Sequence, residues 1–153
     1  MLKRVRNQKA RRIKGRFAIV ASRYNGRYVD AMVEAARAEL KRAGATPVIL
    51  RVPGAFEVPV VAARLASDGR GWSAIICLGV ILRGETTHAA HIGEAVSGAL
   101  MRIQVEHKIP IIHEVLLLEN EQQARVRCLG RTHNRGTEAG QTALAMAELM
   151  ARL

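Results

Sequence analysis

The sequence predicts an α/β protein, a three-layer α/β/α sandwich built on a four-stranded parallel sheet. Three observations predict it. Four short apolar runs recur along the 153 residues, each continuous rather than alternating, as strands buried on both faces require. Between them lie segments whose apolar residues recur at helical spacing. Strand and helix patterns alternate, and such β-α units place their helices on both faces of a parallel sheet.

The elements follow in order. Phe17-Ala-Ile-Val-Ala21 is the first strand. A helix is expected over 27–43, with Val29, Met32, Val33, Ala36 and Leu40 as its stripe and Gly44 as its stop. Residues 47–52 form a second strand, broken by Pro53-Gly54, and a helix over 56–66 ends at Asp68-Gly69. Residues 74–82, AIICLGVIL, are the clearest strand. Residues 87–107 are the clearest helix, with Ile92, Ala95, Val96, Ala99, Leu100 and Ile103 on one face. A fourth strand covers 111–118, and helices near 120–129 and 137–152 close the chain. There is no internal repeat.

Bulk properties narrow the class. A hydrophobic content of 49% is that of a folded domain, and no apolar run reaches the roughly 18 residues that would suggest a membrane span. The basic N-terminus lacks a following apolar region, so it does not read as a secretory signal. Cys77 and Cys128 belong to no C-x-x-C pair, and Cys77 falls inside a strand, which fits buried thiols in a reducing cytoplasm. The net charge of +11 is uneven: residues 1–16 hold eight of the 24 basic residues and no acid, leaving 16 basic against 13 acidic elsewhere. This arm reads as a flexible, solvated tail, with non-specific polyanion binding as the functional alternative. The domain proper is 17–153.

In parallel sheets ligands bind beyond the carboxyl ends of the strands. The first strand ends in Ser22-Arg23-Tyr24-Asn25-Gly26, the second in Val52-Pro53-Gly54-Ala55-Phe56-Glu57, the third in Arg83-Gly84-Glu85-Thr86-Thr87-His88. Of five aromatic residues, Tyr24 and Phe56 stand at these ends, where they would stack on a planar ring; alternatively Phe56 covers its own helix start. Gly84 to Thr87 before a helix could cradle an anion or simply cap that helix. His88 suits proton transfer near neutrality, although a lone histidine on a helix is more often structural. His91 and Glu94 follow at helical spacing, but one i,i+3 histidine pair without H-E-x-x-H is a weak metal signature, so no metal is expected. Arg127, Arg131 and Arg135 flank a Gly-Arg-Thr-His-Asn-Arg-Gly loop and could hold phosphate, or be surface charge. No G-x-S-x-G elbow, G-x-G-x-x-G or Walker loop is present.

Together IVASRYN, VPGAFEVP, GVILRGETTH, ENEQQA and GRTHNRGTEA resemble the lumazine synthase family from about residue 17 to the C-terminus. The resemblance implies a flavodoxin-like fold and a transferase of riboflavin biosynthesis. Members condense 5-amino-6-ribitylaminouracil with 3,4-dihydroxy-2-butanone 4-phosphate, with loss of phosphate and water and without a cofactor. It further implies that Tyr24 stacks on the pyrimidine, with Asn25 in the same loop. Ala55, Phe56 and Glu57 would hold the pyrimidine and ribityl chain, and the Ile81 and Leu82 backbone would meet the pyrimidine edge. Gly84, Glu85, Thr86 and Thr87 would lie near the phosphate, His88 would transfer protons and Arg127 would anchor the phosphate.

Departures from the family pattern are specific. Arg135 stands where lysine is usual, and His113 where an aromatic, commonly Phe, closes over the pyrimidine from the adjoining subunit. Glu114 replaces a small residue, and Leu117-Leu118 a threonine-rich stretch. Family sites lie between subunits of pentamers, some of which assemble into decamers or sixty-subunit shells. The length of the 127–136 loop points to a shell, and riboflavin synthase is an implied partner. Two rival readings remain: a ligand-binding or shell-forming homologue without efficient catalysis, and a nucleic-acid-binding module resting only on the arm.

Overall fold

The structure, a computed structural model, describes residues 11–153. Its strands are β1 (Phe17–Ser22), β2 (Val48–Val52), β3 (Ala74–Leu82) and β4 (Ile111–Leu118). Its helices are α1 (Gly26–Arg42), α2 (Val58–Ala66), α3 (His88–His107), α4 (Glu121–Cys128) and α5 (Arg135–Met150). All strand pairs are parallel, in the order β2-β1-β3-β4. Helices α2 and α3 cover one face and α1, α4 and α5 the other, so the expected three-layer sandwich is the fold found.

The continuous apolar runs have their reason in this layering. Along β1, Phe17, Ile19 and Ala21 pack against the α1 side while Ala18 and Val20 pack against the α2 side. All of β1 is buried, and all of β3 except Leu82. Burying each Ile, Leu or Val there contributes about 1.5–3 kcal/mol, which a half-polar strand would forfeit. The chain winds from β1 out to β2 and returns past β1 to β3, so the winding reverses between β1 and β3. A crevice at the carboxyl ends of those strands follows.

The helices begin and end for local reasons. At the end of α1, the Gly44 N–H bonds the Lys41 carbonyl at 2.9 Å and the Ala45 N–H reaches the Leu40 carbonyl at 3.0 Å. This closure needs a left-handed residue, and Gly44 supplies it with φ 84°. The helix expected over 56–66 instead opens with a 3-10 turn, Ala55–Glu57, before α2. Pro59 is the reason: it is tolerated only in a first helical turn, so the α-helix starts beside it. Helix α5 starts at Arg135, two residues before the expected 137, because Asn134 caps it, its Oδ1 accepting from the Gly136 N–H at 2.8 Å.

Residues 1–10, which carry most of the expected basic arm, lie outside the described residues. Residues 11–16 rest on the domain: the Ile13 N–H bonds the Ala43 carbonyl at 3.0 Å, and the Arg16 guanidinium stacks 5.5 Å from the Trp72 ring centroid. Among the described residues no helix is long and apolar enough to cross a membrane.

Helix α5 meets α1 at backbone distance. A Cβ on Gly136 would lie 2.1 Å from the Met32 carbonyl oxygen, and one on Gly140 would lie 2.7 Å from Glu39 Cβ. Gly136→Ala should therefore cost about 3 kcal/mol or more, since the obstacle is main chain and cannot rotate away. Chemical denaturation checks this, and a loss under about 1 kcal/mol would show that α5 can shift off α1.

Candidate active site

At the reversal of winding, the tails of β1 and β2 stay paired beyond the sheet. The Arg23 N–H bonds the Val52 carbonyl at 2.8 Å and the Tyr24 N–H the Pro53 carbonyl at 3.0 Å. Asn25 then turns left-handed (φ 55°, ψ 39°) to start α1, a conformation asparagine tolerates better than most residues. Its side-chain amide donates to the Val80 carbonyl at 2.7 Å, tying the end of β1 to β3 across the switch point. Asn25 thus contributes to the site by shaping it.

The crevice is a cavity of about 840 Å³. Tyr24 and Asn25 form one wall, Gly54 to Glu57 a second, Val80 to Leu82 the floor, and Gly84, Thr86 and the first turns of α3 the third wall. Tyr24 is 74% and Phe56 62% exposed while lining it, so neither ring serves the core and both have a face free for a planar ligand. Glu57 Oε2 accepts from the Gly54 N–H at 2.9 Å, which holds the carboxylate at the mouth. His88 opens α3, its N–H bonded to Thr86 Oγ1 at 3.3 Å, and its side chain lines the cavity. Thr87 makes no side-chain cap bond to the helix. Glu85 and Thr87 belong to the same loop but are not part of the cavity wall.

Arg127, His113 and Arg135 lie elsewhere. They line a separate depression of about 420 Å³ formed by β4 and the residues of α4 and α5 beside it, and it shares no residue with the first cavity. Arg127 is half-buried there, with no ion-pair partner among the described residues. Arg135 is committed: its Nε donates to Glu114 Oε2 at 2.9 Å and its Nη1 to Glu138. Glu114 is 8% exposed, and burial outweighs the pull of Arg135, pushing its carboxyl up to about 7. Asn134 fixes the loop between these helices, donating to the Cys128 carbonyl at 2.8 Å while it caps α5.

His113 belongs to edge strand β4. Its Nδ1 accepts from the Val115 N–H at 3.1 Å and its Nε2 pairs with Ser97 Oγ at 2.7 Å. The backbone donor at Nδ1 places the neutral ring's proton on Nε2, so the ring donates to Ser97 and cannot act as its base. Desolvation lowers the imidazole from its ordinary value, in the direction the Val115 bond also favours.

Sequence reading missed Gly54, Val80, Ala89, His91, Ile92 and Ala95 in the cavity wall. The signal was available for α3, where His88, His91, Ile92 and Ala95 fall on one face at helical spacing. Glu94, considered with the two histidines, points instead to a groove with Ser97 and Leu117.

Fold and site define a doubly wound α/β protein with a ligand crevice at its switch point. The 6,7-dimethyl-8-ribityllumazine synthase family model matches residues 14–151. A 6,7-dimethyl-8-ribityllumazine synthase of Stenotrophomonas maltophilia is 40% identical over 141 residues, covering 90% of each chain. Another from Xanthomonas oryzae pv. oryzae is 39% identical over 138 residues, covering 88% of this chain and 89% of its own. The chain belongs to the 6,7-dimethyl-8-ribityllumazine synthase family.

Two outcomes are expected. Asn25→Ala should cost about 2 kcal/mol, because it orphans the Val80 carbonyl and strains a left-handed residue. Asn25→Gly should recover the backbone part, and equal losses in denaturation would refute this division. For His113, a depressed native pKa means that the unfolded chain binds the proton more readily. The ring's stabilisation is then complete above its ordinary 6.5 and is lost as pH falls below it. Acidification from about pH 7.5 to 5 should destabilise the wild type more than His113→Phe, as read from denaturation midpoints.

Proposed function

We propose that the protein condenses 5-amino-6-ribitylaminouracil with 3,4-dihydroxy-2-butanone 4-phosphate to 6,7-dimethyl-8-ribityllumazine, releasing phosphate and water. The observation that carries this reading is the switch-point cavity, where exposed Tyr24 and Phe56 rings, the Glu57 carboxylate and His88 converge in a member of this family. The rings suit a planar pyrimidine, Glu57 can accept from ribityl hydroxyls, and the Ile81 and Leu82 backbone borders the pyrimidine edge. Amine and ketone join as an imine with loss of water, phosphate leaves by elimination, and the second amine closes the ring with loss of another water. His88 transfers protons through these steps. Arg127 neutralises the departing phosphate. Gly84, Glu85, Thr86 and Thr87 form the loop beside that group, and binding both substrates in register supplies much of the remaining acceleration.

Arg127, His113 and Arg135 sit apart from this cavity, so the site is completed by a neighbouring subunit that presents them to it. Exposed Val60, Met101, Val105 and Leu117 support association of copies. We place the chain in a pentamer-based, sixty-subunit shell in the cytoplasm, a setting with which its buried free cysteines agree. Riboflavin synthase as a partner and polyanion binding at low salt by the basic arm belong to the same proposal.

Glu114 and its ion pair with Arg135 favour one rival, a binding homologue with weak catalysis. Turnover decides. Wild-type protein mixed with both substrates should form lumazine well above the uncatalysed rate, followed optically. His88→Ala should lower kcat by on the order of 10²-fold. Arg127→Ala should raise the KM for the butanone phosphate by about 10-fold to 100-fold. No turnover in folded, assembled protein would leave the binding reading in its place.

A further inference from the structure

The second depression holds two arginines in different states. Arg127 has no carboxylate partner among the described residues, whereas Arg135 is held between Glu114 of β4 and Glu138 of α5. Glu114 is buried, and its bond to Arg135 Nε links β4 to the start of α5 over 21 residues of chain. On these contacts, and resting on the reading above that an anionic substrate binds here, we propose that Glu114 is an internal competitor for that anion. Ionised, it withholds the Arg135 guanidinium; protonated, it frees Nε to join Arg127 on the phosphate. Arg135 keeps Glu138 throughout, so the side chain stays in place while its charge changes hands. Glu114 therefore acts through Arg135, as a positioning residue.

The surroundings single out Glu114 as the group that titrates. Glu114 lies on the β4 face covered by α4 and α5, whereas His113 turns to Ser97 of α3. From α4 it meets Cys128, whose thiol burial pushes up to about 12, with Arg127 beside it; from α5 it meets Arg135 and Glu138. The carboxyl of Glu114, raised to about 7 by burial, changes charge in the neutral range. Anion affinity should therefore fall as pH rises through neutrality.

Sulfate tests this, being a dianion that does not titrate there. Its affinity for the assembled protein would be measured by calorimetry at constant ionic strength from about pH 6 to 8. The wild type should lose roughly threefold to tenfold across this range. Glu114→Gln should hold its pH 6 affinity throughout. Arg135→Gln should show no slope either, with an affinity close to that of the wild type at pH 8. Every histidine is common to the three proteins, so differences between them isolate the clamp. Parallel slopes in the wild type and Glu114→Gln would overturn the proposal. Should Glu114→Gln fail to assemble, a slope retained in Arg135→Gln would do the same. In turnover at pH 8, Glu114→Gln should lower the KM for the butanone phosphate more than it alters kcat. Calorimetry needs no turnover, so an inactive wild type would sink the synthase reading while the clamp is judged on sulfate alone.

Discussion

Strands β1 and β3 have no side that meets water, and most of the molecule follows from covering them. Two buried faces require helices on both, and parallel crossovers supply these only if the chain leaves β1 in one direction for β2 and comes back in the other for β3. The reversal parts the chain at the carboxyl ends of the two strands. Across that gap the Asn25 side-chain amide bonds the Val80 carbonyl, tying the two strand ends together. Chemistry-bearing residues then need only be written into loops whose positions the core has already determined.

The sheet's two edges are treated differently. On β4, the His113 ring occupies an amide that does not pair with β3. On β2, Val48 and Ile49 remain 48% and 36% exposed, with Arg51 anchored inward to Asp30 and to the Ser22 carbonyl. An exposed edge invites another strand, whereas a ring across an edge amide discourages one.

The fold was largely legible in the sequence because its signals are local. Continuous apolar strands, the stripe of α1 and the Gly44 stop each act within a few residues of themselves. The 3-10 turn at Ala55–Glu57 was missed although its cause, Pro59, is adjacent, because apolar spacing does not distinguish a tight turn from the start of an α-helix. The cavity was legible through its loop residues, and His91 was passed over once the metal reading had been set aside. What could not be read is what depends on meeting across the chain: Glu114 on Arg135, Asn134 on the Cys128 carbonyl, Ser97 on His113. No periodicity encodes a contact between residues on separate elements whose distance is set by packing. For the same reason the sequence could suggest a phosphate-binding role for Arg135 but not its double engagement with carboxylates.

The separation of the switch-point cavity from the Arg127 depression has a bearing on inheritance. If each working site draws one half from each of two neighbouring chains, a lesion in one half spoils a different site from the one it leaves intact in the other. Two defective alleles, one lacking the histidine half and the other the arginine half, would then complement each other within a mixed oligomer. With random mixing of equal amounts, about one site in four would be whole, while either allele alone would yield none. A gene of this design can carry damaging variants in a population that single-allele assays would score as null.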